Sequence, residues 1–165
     1  MAGIANVDFE PGTGLPSPSE DRIRWFEESY RVKLPSAFLE LLRTANGAVP
    51  RERAFSQGDK ERSIERFLPL LEAPGDDREM GWYDVTSVLT QLDARLVDRD
   101  DLVGMNVIPI AALFGGDFVC LDYRDGRAAP TVAVWDHEQS DELAPHLDKV
   151  ADSFESFLRL LHHPE

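Results

Sequence analysis

The chain has 165 residues, of which 42% are hydrophobic and 29% charged, and its formal net charge is −14. A length of roughly 150 residues is typical of one domain, and this composition is that of a globular protein, not a disordered or fibrous one. Because so acidic a chain repels phosphate backbones and anionic lipid, we expect neither nucleic acid nor a membrane as its partner. The same charge favours fast capture of a cationic partner, although acidity alone also serves solubility.

The chain contains one cysteine, Cys120, which excludes an internal disulfide. It lies in the apolar run at residues 118–121, where a thiol packs as a small hydrophobic side chain. The first residues lack the basic and apolar regions of a signal peptide, and no stretch approaches the roughly 20 apolar residues of a membrane span. We therefore expect a protein of the cytoplasm.

The N-terminal part of the chain predicts an irregular lead-in followed by two helices. Prolines and glycines interrupt any periodicity in residues 1–16, so the single domain is expected to span residues 17–165. Ser17 is predicted to cap a first helix over about residues 18–30. A second helix is predicted to begin at Pro35 and to stop at Asn46-Gly47, where glycine permits a left-handed backbone.

The middle of the chain predicts one strand and one helix. Residues 48–62 are polar and are predicted to form a loop. Residues 64–71 are predicted to form an edge strand, because Pro69 cannot donate a hydrogen bond within a sheet. Asp84 is predicted to cap a third helix that ends near Asp98.

The C-terminal half changes to the pattern of short strands. Strands are predicted at residues 107–110, 118–123 and 131–135, with an Asp-Gly turn at residues 124–127 between the last two. A final helix is predicted from Ser153 onward. The order is therefore helix, helix, strand, helix, three strands, helix. Because tight turns join antiparallel strands, the sequence predicts one α+β domain whose sheet is covered by helices.

The sequence lacks most motifs of nucleotide, metal and nucleophile chemistry. Gly115-Gly116 has no Lys-Ser or Lys-Thr pair behind it, and predicts a sharp bend before Asp117 instead of a phosphate-binding loop. The histidines do not follow metal-ligand spacing, so we predict no metal site and no cofactor. No Gly-x-Ser-x-Gly sequence occurs.

The most enzyme-like group is a set of acids and one histidine at the predicted strand ends. It consists of Asp117, Asp122, Asp136, His137 and Glu138. Brought together by the sheet, these residues could perform acid–base chemistry in a small hydrolase. Solvation of hairpin ends and turn capping would explain the same residues without any catalysis.

An acidic segment with aromatic residues lies between Glu72 and Leu102, where nine acidic side chains face three arginines. Within it, Trp82 and Tyr83 stand beside a turn. Aromatic side chains among carboxylates are typical of an interface that binds a basic partner. Trp82 is open to two interpretations, as the anchor of such an interface or as a core residue.

Short motifs follow one another in a fixed order from about residue 14 to residue 161. They include Arg24-Trp25-Phe26-Glu27-Glu28-Ser29-Tyr30, Leu34-Pro35, Asn46-Gly47, Ile108-Pro109-Ile110, Phe114-Gly115-Gly116-Asp117, Cys120-Leu121-Asp122-Tyr123, Val134-Trp135-Asp136-His137-Glu138 and Ser153-Phe154-Glu155-Ser156-Phe157-Leu158. Together they resemble the signature of the SUKH superfamily, which includes immunity proteins of bacterial polymorphic toxin systems and fungal regulators of cell-wall assembly. The resemblance implies a curved, mainly antiparallel sheet flanked by helices.

The function that this resemblance implies is binding, not catalysis. An immunity protein of this kind would dock on a cognate toxin domain and block its active site or its access to substrate. Many such toxins are nucleases with basic grooves, which an acidic surface would match. On this interpretation we predict that the partner contacts Trp82, Asp117, Asp122, Asp136 and Glu138, the carboxylates supplying charge and Trp82 an anchor.

Two other functions stay open at this point. One is a regulatory or scaffold domain with a protein partner of the same cell, and the other is the small hydrolase. Residues 48–62 and 99–105 look particular to this chain, and variable loops are where partner choice is encoded. The resemblance therefore does not by itself locate a binding site.

Overall fold

A computed structural model describes residues 7–126 and 129–164. These residues form one six-stranded antiparallel sheet, in which the strands lie in chain order, together with four α-helices. The helices are α1 (Glu20–Tyr30), α2 (Ser36–Ala45), α3 (Val85–Leu92) and α4 (Phe154–Leu160), and the strands are β1 (Ala54–Gln57), β2 (Lys60–Phe67), β3 (Val107–Leu113), β4 (Phe118–Asp122), β5 (Thr131–Trp135) and β6 (Leu147–Ala151). The α+β class predicted from the sequence is confirmed.

Helix α1 begins two residues later than the sequence suggested. Its N-cap is Ser19, whose hydroxyl accepts a hydrogen bond of 3.0 Å from the backbone N–H of Arg22. Ser17, the predicted cap, instead donates its hydroxyl to the carbonyl of Arg43. Both serines satisfy backbone groups at a helix end, and Pro18 at the predicted first position stays outside the helix.

The end of helix α2 ties two distant parts of the chain together. Gly47 has a φ of 70°, which confirms the predicted left-handed turn. The buried side chain of Asn46 exchanges hydrogen bonds with the backbone of Leu70 and donates a further one to the carbonyl of Pro16. The residues that end helix α2 therefore also connect it to the segments around Pro16 and Leu70.

Helix α3 is shorter than predicted. Asp84 caps it as expected, accepting hydrogen bonds from the backbone N–H groups of Thr86 and Ser87. The helix ends at Leu92, not near Asp98, because the next residue, Asp93, adopts a φ of 43° and a 3-10 turn follows. The apolar periodicity continued beyond Leu92, but the helical backbone did not.

The two outer strands of the sheet are missing from the sequence prediction. Residues 48–62 are not all loop, because β1 lies within them and pairs with β2 across a turn at Gly58, whose φ is 60°. Strand β2 is consequently the second strand and not an edge, and Pro69 lies beyond its end. Strand β6 pairs with β5 and lies in the stretch before Ser153 for which no element was predicted.

Irregularities in the strand pairing curve the sheet. Register shifts occur between β2 and β3, between β3 and β4, and between β5 and β6, and such bulges bend a strand and increase its twist. Pro109 occupies a central strand at one of these shifts. The curvature brings the outermost strands so close that the amide of Gln57 on β1 donates to Asp148 on β6 over 2.8 Å.

The core contains aromatic pairs that join α4 to the sheet and to α2. Phe157 of α4 packs edge-on against Phe55 of β1, with ring centroids 5.1 Å apart, and Phe154 packs against Phe38 of α2 at 5.4 Å. All seven residues of β3 are buried, so both faces of this strand are covered. The turn that joins β3 to β4 therefore follows directly on a strand that is packed on both faces.

The predicted lead-in is described from residue 7 onward. Phe9 forms an isolated bridge with Pro50, and Leu15 forms another with Asn46. Residues 1–6 lie outside the described residues, as does Arg127, the last residue of the predicted Asp-Gly turn. The boundary between lead-in and domain at residue 17 stays a prediction.

Candidate functional site

The turn between β3 and β4 positions the first candidate residue, Asp117. Gly115 and Gly116 have φ values of 103° and 99°, which confirms the sharp bend predicted from the two glycines. A side chain at Gly116 would lie 3.2 Å from the ring of His137, so glycine also makes room for that imidazole. Asp117 follows directly and precedes β4.

Asp117 is the centre of a cluster that joins three parts of the chain. The residue is only 8% exposed, and one carboxylate oxygen accepts a 2.8 Å hydrogen bond from the guanidinium of Arg62 on β2. The other oxygen accepts a bond of 2.9 Å from the backbone N–H of His137 and lies 2.5 Å from that residue's ring Nδ1. The cluster connects β2, β4 and the segment after β5.

The protonation of Asp117 follows from these contacts. Burial raises the pKa of its carboxyl group, but the hydrogen bonds from His137 and the charge of Arg62 outweigh burial and hold the pKa below its ordinary value. The carboxylate is therefore ionised, with a countercharge supplied within the chain. It does not contribute an unpaired negative charge to the surface.

Asp136 and Glu138 lie beside this cluster in the turn after β5. The carboxylate of Asp136 accepts hydrogen bonds from the backbone N–H groups of Glu138 and Gln139 and from the side-chain amide of Gln139. These donors, the side-chain amide foremost, lower the pKa of Asp136. Glu138 projects into solvent, with its side chain 82% exposed.

These residues line a polar pocket of about 510 Å³. Its charged lining consists of five carboxylates and two basic side chains, alongside His137. The carboxylates are Glu61, Asp117, Asp136, Glu138 and Asp148, and the basic side chains are Lys60 and Arg62. We call this feature the polar pocket.

Part of the polar pocket has the composition of a cation site. Ligand atoms of Asp117, Asp136 and His137 lie within 4.8 Å of one another, and carboxylate and imidazole groups bind divalent metals. The guanidinium of Arg62 already supplies positive charge to Asp117, and Asp136 accepts two turn N–H groups on one oxygen and the Gln139 amide on the other. The hydrogen bonds account for the closeness of these groups, and we assign no metal to them.

Asp122, which the sequence grouped with these residues, lies at the opposite end of β4. It lies five positions along the strand from Asp117, a span of about 17 Å. Its carboxylate accepts two hydrogen bonds, of 2.9 and 3.0 Å, from the guanidinium of Arg124. The sheet therefore brings Asp117, Asp136, His137 and Glu138 together and leaves Asp122 apart, because one strand cannot place both its ends at one edge.

Trp82, the predicted anchor, lies on the surface. It belongs to a 3-10 turn at Gly81–Tyr83, and 68% of it is exposed, so the structure decides against the core interpretation. Gly81 is buried, and a Cβ there would lie 2.3 Å from the carbonyl oxygen of Pro74. Tyr83 donates its hydroxyl to Glu65. With its two neighbours held inward, the turn presents Trp82 to solvent.

A second exposed aromatic residue, Phe114, was not singled out in the sequence. It opens the β3–β4 turn, is 54% exposed and has the guanidinium of Arg53 about 6.0 Å from its ring centroid. The available signal was its position directly before Gly115-Gly116, since a residue at the tip of a tight hairpin has few neighbours. Apolar periodicity could not separate it from the buried residues of β3.

Trp82 and Phe114 line one groove of about 230 Å³, which we call the aromatic groove. Its floor consists of residues from α3 and the β3–β4 hairpin. They include Val88, Ala112, Leu113 and Phe118. Gly115 and Asp117 line both the aromatic groove and the polar pocket, so the two features are continuous across the β3–β4 turn.

Comparison with known proteins places the chain in a family. The model of the SMI1 / KNR4 family (SUKH-1) matches residues 17–160. This protein belongs to the SMI1 / KNR4 family. It is also similar to the SPbeta prophage-derived uncharacterized protein YokK of Bacillus subtilis (strain 168), with 27% identity over 150 residues that cover 85% of this chain and 72% of YokK. The SUKH resemblance found in the sequence is confirmed.

The polar pocket offers carboxylates and one imidazole for chemistry, without a hydroxyl or thiol nucleophile among its described residues. Among the described residues that line the polar pocket, none is a serine, threonine or cysteine that could act as a nucleophile. Cys120 is buried in the middle of β4, and burial raises the pKa of its thiol well above the ordinary value.

None of the helices that the structure describes is long and apolar enough to cross a bilayer.

Proposed function

We propose that this SUKH-1 protein is an immunity protein, which binds a cognate toxin domain and neutralises it without catalysis. The observation that carries the proposal is the aromatic groove, where Trp82 and Phe114 are largely exposed beside a polar pocket rich in carboxylates. Exposed aromatic side chains with a polar surround are typical of the anchor regions of protein interfaces. An open groove of this kind fits a partner's side chain better than a small substrate.

The relatives are compatible with such a role. The SUKH superfamily, which the sequence motifs resemble, includes toxin-immunity proteins. A similar protein, YokK, is named as prophage-derived. The encounter would occur in the cytoplasm, where Cys120 stays reduced.

The charge of the chain indicates the class of toxin. A net charge of −14 would accelerate association with a basic surface and slow association with an acidic one. Toxins that act on nucleic acid carry basic grooves for the phosphate backbone. We therefore propose a nuclease toxin as the partner.

The experiment is co-expression with the product of the gene immediately upstream. Cells that produce the candidate toxin alone, or with this protein, are compared for survival, and the two proteins are tested for co-purification through a tag on one of them. Rescue together with a stable complex would support immunity. An upstream product that is toxic but neither bound nor neutralised would contradict it, and would favour the regulatory-domain alternative.

A further inference from the structure

The aromatic groove has the properties of a preformed docking site. Its floor rests on β3, a fully buried strand, so the groove does not have to be created on binding. Its walls include two rings that stand on separate turns, at Gly81–Tyr83 and directly after β3. A side chain placed between Trp82 and Phe114 would remove apolar surface of both rings from water at little conformational cost.

The charged residues that line the aromatic groove are acidic, and the guanidinium of Arg53 lies outside this lining, about 6.0 Å from the ring centroid of Phe114. Among its described lining residues, the charged ones are Glu65 and Asp117, both acidic. Asp117 is paired with Arg62, and Glu65 accepts the hydroxyl of Tyr83. Beyond the shared Gly115, the polar pocket adds four further carboxylates and two basic side chains, namely Glu61, Asp136, Glu138, Asp148, Lys60 and Arg62.

We propose that a segment of the toxin places an apolar side chain in the aromatic groove and an adjacent lysine or arginine in the polar pocket. This inference rests on the proposed function and names the chemistry by which the partner is recognised. Charge complementarity selects the occupant, because the polar pocket holds more carboxylates than basic groups. Its Glu138 lies 3.8 Å from His137 Nε2 and keeps 82% of its side chain in solvent, where a cation can reach it.

The first test measures the dissociation constant of the toxin complex for single variants. Trp82→Ala and Phe114→Ala are each expected to raise it by roughly 30-fold, the size of a central interface anchor. Trp25→Ala is the matched control, since Trp25 is also an exposed tryptophan but stands on α1 and does not line the groove. It is expected to change the constant less than about 3-fold.

Glu138→Lys tests the charged half of the proposal. It is expected to slow association and to weaken the dependence of the association rate on salt, because one attractive charge becomes repulsive. Asp21→Lys on α1 is the control for net charge alone, since Asp21 is also solvent-exposed. Equal effects of both reversals would overturn the role of the polar pocket.

A second test needs no toxin. The isotope-labelled protein is titrated with the peptide acetyl-Arg-Leu-Arg-amide to about 5 mM, the weak end of measurable affinity, and with acetyl-Glu-Leu-Glu-amide as control. The proposal expects the basic peptide to shift the Trp82 indole and the amides of Gly115 and Gly116. No shift there, or equal shifts with the acidic peptide, would overturn it.

The two tests separate the two proposals. Full toxin binding by the Trp82→Ala and Phe114→Ala variants would refute the groove as the docking site and leave immunity standing. Specific binding of the basic peptide, combined with an upstream toxin that the protein neither binds nor neutralises, would refute immunity and leave the groove as a docking site for basic segments.

Discussion

The aromatic groove and the polar pocket share Gly115 and Asp117, but they differ in how far their side chains are bonded within the chain. In the polar pocket, the groups are partners of one another: Arg62 and His137 both bond to Asp117. In the aromatic groove, Trp82 and Phe114 each leave more than half of their surface to solvent. Asp117 is therefore satisfied within the chain, whereas the two rings keep apolar surface in water that a partner could cover.

This difference teaches that acidic residues in a sequence do not contribute equally to an acidic surface. Asp117 and Asp122 were both predicted to supply charge to a partner, and both face an arginine of their own chain. Glu138, predicted on the same grounds, is solvated. The contact-residue set itself stays a prediction, but its members play different physical parts.

The largest effect is expected from breaking the polar cluster. Asp117→Ala leaves the mostly buried guanidinium of Arg62 and the N–H of His137 without their acceptor. We expect the free energy of unfolding to fall by about 3 kcal/mol, measured by urea denaturation. The control is Glu138→Ala, at a solvated side chain, which should change it by less than about 0.5 kcal/mol. A loss below about 1 kcal/mol for Asp117→Ala would contradict the structural role.

The pH dependence of stability gives a second measure of the same cluster. Because the folded pKa of Asp117 is lowered, its contribution is fully present above the unfolded pKa of about 3.9 and is lost as the pH falls through the lower folded value. The stability difference between the wild type and Asp117→Asn should therefore shrink as the pH decreases from about 5 to about 2. Urea denaturation of both proteins at several pH values measures this difference. A difference that grows as the pH decreases would contradict a lowered pKa of Asp117 in the folded protein.

The other end of β4 should be less sensitive. Asp122 is about as buried as Asp117, but its partner Arg124 is only two residues away and keeps about a third of its side chain in solvent, which can hydrate the guanidinium when the charge is removed. Asp122→Asn keeps one acceptor oxygen and removes the charge, so we expect a loss of about 1 kcal/mol or less. Denaturation side by side with Asp117→Ala tests the ranking. Equal losses at the two positions would remove the contrast between the ends of the strand.

The smallest effect on stability is expected in the aromatic groove. Trp82→Ala and Phe114→Ala remove side chains that are mostly exposed, so each should change the free energy of unfolding by about 0.5 kcal/mol or less. Thermal or urea denaturation of the two variants measures this. A loss above about 2 kcal/mol would mean that these rings support the fold and are not available to a partner.

The sequence predicted the parts of the fold that carry strong local signals. Asp84 and the Gly115-Gly116 pair act as expected, since capping and tight turns depend on neighbouring residues alone. Strands β1 and β6 escaped prediction because they are short and polar along much of their length. Their assignment depends on pairing with distant strands, which local periodicity does not contain.

The candidate site was predictable in part for the same reason. The closeness of Asp136, His137 and Glu138 is local, and the turn after β5 was visible in the sequence. Arg62 joins the cluster from 55 residues away, and the segment that contains it was predicted as a loop. Phe114 was hidden because exposure at a hairpin tip is decided by the turn and not by the type of residue.

The measurement that tests the central claim most directly is a titration of the purified toxin's activity with this protein. Neutralisation by binding predicts that inhibition is complete at one equivalent of this protein per toxin. The toxin should recover its activity after the two proteins are separated under denaturing conditions and the toxin is refolded. The Trp82→Ala variant should reach the same inhibition only in clear molar excess over the toxin. Inactivation by far less than one equivalent, with a toxin chemically altered on recovery, would show catalysis and contradict the account.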